Sequence, residues 1–140
     1  MKPLTLALLL LLVSCGDSPL LNHSKIGDRV VRSLTGETGL HFAKIGVNFE
    51  LAWQNGCPDM NECSFDLNLE TPLPEGASIE AILWMSSMGH GSSPITIQQT
   101  GPLHWHFSEV FFIMPGLWEL QLKVHNPSGA NDQTDLSYYL

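Results

Sequence analysis

Two methionines and a histidine fall within one short run, Trp84-Met85-Ser86-Ser87-Met88-Gly89-His90-Gly91. Gly89 and Gly91 let the backbone fold tightly around these side chains. Thioether sulfur is a poor donor to hard cations, so such a run would serve calcium or magnesium badly. It would also be weak for zinc, which prefers thiolate, imidazole or carboxylate. Thioether together with imidazole suits copper, Cu(I) above all, while imidazole also accepts Cu(II). Methionine has no proton to lose, so sulfur ligation persists where acid protonates a histidine ligand.

A second group of donors follows at His104, His106 and Met114. In a strand, residues i and i+2 point to the same face and lie about 6.6–6.8 Å apart along the chain. His104 and His106 therefore either converge on one ion or stand as plain polar residues opposite Leu103, Trp105 and Phe107. Met85 and Met114 sit where core-filling side chains at strand ends are expected. Met88 and His90, held between glycines, are the foremost ligand candidates. His23 sits in the expected tether, His41 and His125 lack soft neighbours, and all three are set aside.

No catalytic signature accompanies these donors. The chain has no Gly-x-Ser-x-Gly elbow, His-Glu-x-x-His pair, phosphate loop or dinucleotide fingerprint. Its acidic residues are scattered over the polar positions of strand-like segments, so a binding protein rather than an enzyme is expected.

The donors belong to a chain of 140 residues whose start reads as an export signal. Met1-Lys2 precedes an apolar run from Leu4 to Val13. That run is too short for a membrane-spanning helix, which needs about 20 residues, and suits a signal-peptide core of about 7–15. Leu12-Val13-Ser14-Cys15 resembles the bacterial lipobox, which implies cleavage after residue 14 and a lipid anchor on Cys15. An ordinary cleavage site followed by a chance cysteine is the plainer alternative. The expected product is a membrane-anchored protein of the cell envelope, facing the periplasm or the exterior.

The sequence then divides into a signal at 1–14, a polar tether at 15–42 and one β-domain at 43–140. With the signal removed, 126 of the 140 residues remain, enough for one domain with a real core. Five basic residues then face fourteen acidic ones, about −9 with His neutral. That balance disfavours nucleic acid, whose binding rests on basic phosphate contacts. The remaining cysteines, Cys57 and Cys63, match neither a CxxC motif nor a zinc pattern. In an oxidising compartment a disulfide closing a short loop is expected, and a thiolate site that includes Met60 is the alternative.

Alternation carries the fold class. Val47, Phe49, Leu51 and Trp53 alternate with polar or small residues, as do Phe65, Leu67 and Leu69. These two segments should pair as a hairpin, with the presumed disulfide across its connection. Ile79–Met85 reads as a central strand that delivers the Met-rich loop, and Ile95–Thr100 as a short one. The pattern shifts phase between Phe107 and Val110, which implies a bulge or tight turn at Ser108-Glu109. Val110–Met114 then reads as a strand within a sheet, Trp118–Val124 as an alternating strand, and Leu136–Leu140 as an edge. About seven short strands without an amphipathic helix predict an all-β antiparallel immunoglobulin-like sandwich, with a small barrel as the alternative.

The Met-x-x-Met-Gly-His-Gly run at Met85–Gly91, followed by Phe112-Ile113-Met114-Pro115-Gly116-Leu117-Trp118-Glu119-Leu120, resembles the YtkA-like and FixH-like periplasmic domains. The resemblance spans roughly residues 45–125. It implies a small immunoglobulin-like sandwich, in the style of CopC copper proteins, that handles copper or serves cytochrome oxidase assembly. It also implies Met88 and His90 as ligands, with Met114 matching the second motif. The expected function is a copper-binding lipoprotein that buffers the ion or passes it to a membrane-bound protein acceptor by ligand exchange. An anchored interaction module without metal is the competing expectation, and a redox thiol protein using Cys57 and Cys63 is a third.

Overall fold

The computed structural model describes residues 31–32, 36–54 and 62–140. Their strands are β1 (Val31–Arg32), β2 (Gly36–Phe42), β3 (Val47–Gln54), β4 (Glu62–Leu69), β5 (Ser78–Met85), β6 (His90–Gly91), β7 (Thr96–Gln99), β8 (His104–Phe111), β9 (Leu117–His125) and β10 (Asp132–Tyr139). They form two five-stranded sheets. Sheet A runs β1-β10-β9-β5-β6 and sheet B runs β2-β3-β4-β8-β7. All pairings are antiparallel except β1 with β10. Two open sheets packed face to face make an immunoglobulin-like sandwich rather than a barrel.

Period-2 alternation builds the shared core. β3 buries Val47, Phe49, Leu51 and Trp53 and turns Asn48, Glu50 and Gln54 to solvent. β9 does the same for sheet A, burying Trp118, Leu120, Leu122 and Val124. The expected hairpin between β3 and β4 forms, with Trp53 opposite Phe65. Phe65 in turn stacks on Phe107 of β8, ring centroids 4.4 Å apart. Such pairs add to area burial through ring quadrupoles.

The phase shift in β8 is a bulge. Phe65 pairs with Phe107 but Cys63 pairs with Val110, so three residue steps on β8 face two on β4. Glu109 takes a left-handed φ of 59° there, an uncommon conformation for a residue with a Cβ. The Thr96 hydroxyl on β7 donates to the Glu109 carboxylate and holds it in place. The inserted residue lets Phe107 and Val110 both face the core, fully buried.

The structure differs from the sequence expectation at three places. The sandwich begins before residue 43, because β2 pairs with β3 and buries Leu40 and Phe42. Part of the segment assigned to a tether is therefore sheet. β8 ends at Phe111, so Val110–Met114 is not a strand. Past that end Phe112 turns inward and is fully buried, while Ile113 is half exposed. β10 is not an edge, since the two-residue β1 lies outside it. Among the described residues no helix is long and apolar enough to cross a membrane. The expected signal at 1–14 and lipid site at Cys15 lie outside the described residues.

One buried carboxylate joins the sheets. Asp132, at the start of β10, is 5% exposed. Its Oδ2 accepts the backbone N–H groups of Lys44 (2.5 Å) and Ile45 (3.0 Å) in the β2–β3 turn. Its Oδ1 accepts from Gln133 N at 2.8 Å. Removing an acceptor that satisfies several partly buried donors costs about 1–3 kcal/mol for each group left unpaired. Asp132→Ala is therefore expected to lower unfolding stability by about 2–4 kcal/mol in urea titration. Asp132→Asn, which keeps an oxygen acceptor, should lose less, and a loss within experimental error for Asp132→Ala would contradict the role.

Candidate metal centre

The Met-rich run closes the β5–β6 hairpin. Met85 and His90 are register partners, so residues 86–89 form a four-residue turn between them. Met88 N and Gly89 N both donate to Met85 O, at 3.1 and 3.0 Å. This tight closure requires a left-handed residue, and Gly89 supplies it with φ 68°. The result is a closed, hydrogen-bonded hairpin end.

The donors on it are not equivalent. Met88 is 57% exposed at the tip, whereas Met85 is 2% exposed and belongs to the core. Directly paired residues in an antiparallel ladder share a face. His90 thus lies on the same side of sheet A as Met85, and it is half-buried at the edge of the sheet. Its Nδ1 is 3.2 Å from Gly91 O. A carbonyl only accepts, so in the neutral ring Nδ1 is the donor and Nε2 keeps the lone pair that a metal would take.

The loop at 112–116 comes to the same end. A Cβ built on Gly116 would lie 3.1 Å from Met85 Cε, so the Met85 methyl rests on that glycine. Gly116 and Leu140 exchange backbone hydrogen bonds at 2.8 and 3.0 Å, which fixes the loop to the end of β10. Trp118 Nε1 donates to Met114 O at 2.9 Å, and Met114 packs half-buried against the core. Ser92 Oγ donates to Phe111 O at 2.5 Å and ties the β6 edge to the end of β8. Ser92 drew no attention in the sequence, where a serine in a polar loop carries no signal.

His104 and His106 are elsewhere. Phe107 faces the core, so His106 and His104 face outward from sheet B. Five residue steps of β8 lead from His106 to the Phe111 end, up to about 17 Å at the usual strand rise. The structure therefore brings Met85, Met88, His90 and the Met114 loop to one end and leaves both histidines on a different surface. The outward pair meets partners that the sequence reading did not single out. His104 Nδ1 is 2.7 Å from Asn68 Oδ1, and His106 Nδ1 is 2.6 Å from Asp66 Oδ1. Asp66 and Asn68 are legible as polar positions of β4, but their role needs the β4–β8 register.

Cys63 is buried at the start of β4. Cys57 lies outside the described residues. Among the described residues no three His, Cys, Asp or Glu side chains are grouped as a metal site. Thioethers fall outside that donor class, so this bears on hard and borderline ions more than on Cu(I).

Fold and hairpin together define a small antiparallel sandwich with a thioether–imidazole end. Compared with family models, curated proteins and solved structures, the chain matches none.

The contrast between the two methionines is directly measurable. Met85→Ala should cost about 2–5 kcal/mol of stability, as for other buried large-to-small changes. Met88→Ala should change it by no more than about 0.5 kcal/mol. Chemical denaturation of both variants checks this, and equal losses would contradict the assignment of Met85 to the core.

Proposed function

We propose that this chain is an exported, lipid-anchored sandwich that binds copper as cargo at the β5–β6 hairpin and passes it to a membrane-bound acceptor. The observation that carries the reading is the pairing of His90 with Met85 across a turn whose tip exposes Met88. Met88 stands exposed in the turn, and His90 follows two positions later, half-buried at the start of β6. This donor chemistry fits Cu(I) better than a hard ion, and the imidazole tolerates Cu(II). The resemblance of Met85–Gly91 and Phe112–Leu120 to YtkA-like and FixH-like domains supports the same choice of residues.

Roles within the site follow from burial. Met88 and His90 hold the ion at the surface. Met114, half-buried in the neighbouring loop, is the candidate third donor. Met85 supports the turn through packing. A site with one exposed donor favours transfer, because an incoming ligand can replace Met88 before the half-buried His90 is released. The protein thus acts as a carrier or buffer and not as an enzyme.

Export and anchoring complete the proposal. Cys15 carries the lipid and holds the sandwich at the cell envelope. The bonded state of Cys63 supports a bridge to Cys57 that would restrain the β3–β4 connection at the metal-bearing end.

Competition of the purified full chain with a chromogenic Cu(I) chelator tests the copper reading. Met88→Ala and His90→Ala should each weaken Cu(I) retention at least tenfold, a loss of about 1.4 kcal/mol or more. If both variants hold Cu(I) as well as the unaltered chain, or if none competes with the chelator, the hairpin is an interaction turn and not a copper site.

A further inference from the structure

We propose that His104 and His106 form a second, separate site on the outer face of sheet B, for a borderline divalent cation such as Zn2+ or Ni2+. It is independent of the Cu(I) reading, since it uses neither the hairpin nor any thioether.

Hydrogen bonding fixes the state of each ring. Asp66 Oδ1 and Asn68 Oδ1 are oxygens that act only as acceptors toward a ring N–H. His106 Nδ1 at 2.6 Å and His104 Nδ1 at 2.7 Å are therefore the protonated nitrogens. In the neutral rings both Nε2 atoms then carry lone pairs. Donation of the second ring N–H to a carboxylate or amide oxygen is the arrangement that orients metal-binding histidines in general. Here it occurs twice, on consecutive outward positions of one strand.

The partners are themselves committed. Asp66 accepts from His106 through Oδ1 and from Gln54 Nε2 through Oδ2. With both oxygens engaged, Asp66 is a positioning residue and not a ligand. The cross-strand pairs His106–Asp66 and His104–Asn68 are in direct register, so both rings lean on β4 in the same way. His106 is about one-third exposed and His104 is exposed, which leaves the outer face open to an ion.

Two imidazoles at i and i+2 make a chelate that is completed by water or by a donor from a partner. Such an open donor set suits ions that favour imidazole.

Titration of the full chain with Zn2+ alone, followed by long-range 1H–15N spectra of the histidine rings, tests the assignment. Before metal, His104 and His106 should both report the Nδ1–H tautomer, and Zn2+ should shift their Nε2 resonances together. His104→Gln and His106→Gln should each weaken Zn2+ binding at least tenfold, while His125→Gln leaves it unchanged. Asp66→Ala should weaken binding several-fold and also alter the His106 tautomer, a signature that loss of general stability does not produce. Zn2+ shifts confined to His41, His90 or His125, or an affinity unmoved by both Gln variants, would overturn the site. Because the response is read at named rings, failure here is distinct from failure of the copper hairpin.

Discussion

Contact between aromatic rings of opposite sheets is what the loop-bearing end of this sandwich depends on. Trp53 of β3 meets Tyr138 of β10 edge-on at 5.3 Å, and it also touches Phe65 and Phe112 at 4.9 and 5.8 Å. Phe112 then meets Trp118 of β9 edge-on at 5.8 Å. These rings close one end of the core, and the last of them holds the loop carrying Met114 through the Trp118 indole N–H. Large aromatic side chains contribute the most burial per residue and prefer these tilted geometries. The positions of Gly116, Met85 and hence the β5–β6 hairpin follow from that packing. Among the described residues Trp53 Nε1 is buried without a hydrogen-bond partner, so ring contacts rather than polar ones hold this side chain there.

A carboxylate performs the corresponding task at the other end, where Asp132 binds the β2–β3 turn. The two ends are thus held by different physics. Aromatic packing, supplemented by the Trp118–Met114, Gly116–Leu140 and Ser92–Phe111 hydrogen bonds, fixes the hairpin end, and a buried carboxylate fixes the opposite turn. The hairpin can then present exposed donors without itself bearing the burden of stability. Met88 illustrates the separation, since it lies outside the core while Met85, three residues earlier, is inside.

Much of the fold was legible in the sequence because its strands alternate strictly. β3, β4 and β9 read directly from period 2, β5 from its apolar run, and the β8 bulge shows in the sequence as a phase shift. β2 was hidden because its pairing shifts register between Glu37 and Leu40, around Gly39, and only Leu40 and Phe42 are buried in it. Val110–Met114 misled for the opposite reason. It is apolar throughout, yet Phe112 serves the core from a loop and Ile113 points to solvent. At the candidate site, Met88 and His90 were legible because local spacing alone joins them. The separation of His104 and His106 from them was not, since it depends on which sheet receives β8. The Asp66 and Asn68 partners likewise depend on strand register, which no local pattern encodes.

The central claim is that thioether and imidazole at the β5–β6 hairpin hold copper together. X-ray absorption of the Cu(I)-loaded full chain tests it most directly, because sulfur and nitrogen neighbours scatter differently. The account predicts a mixed shell of sulfur and nitrogen that loses sulfur in Met88→Ala and nitrogen in His90→Ala. A shell of nitrogen and oxygen alone, unchanged by either substitution, would contradict it.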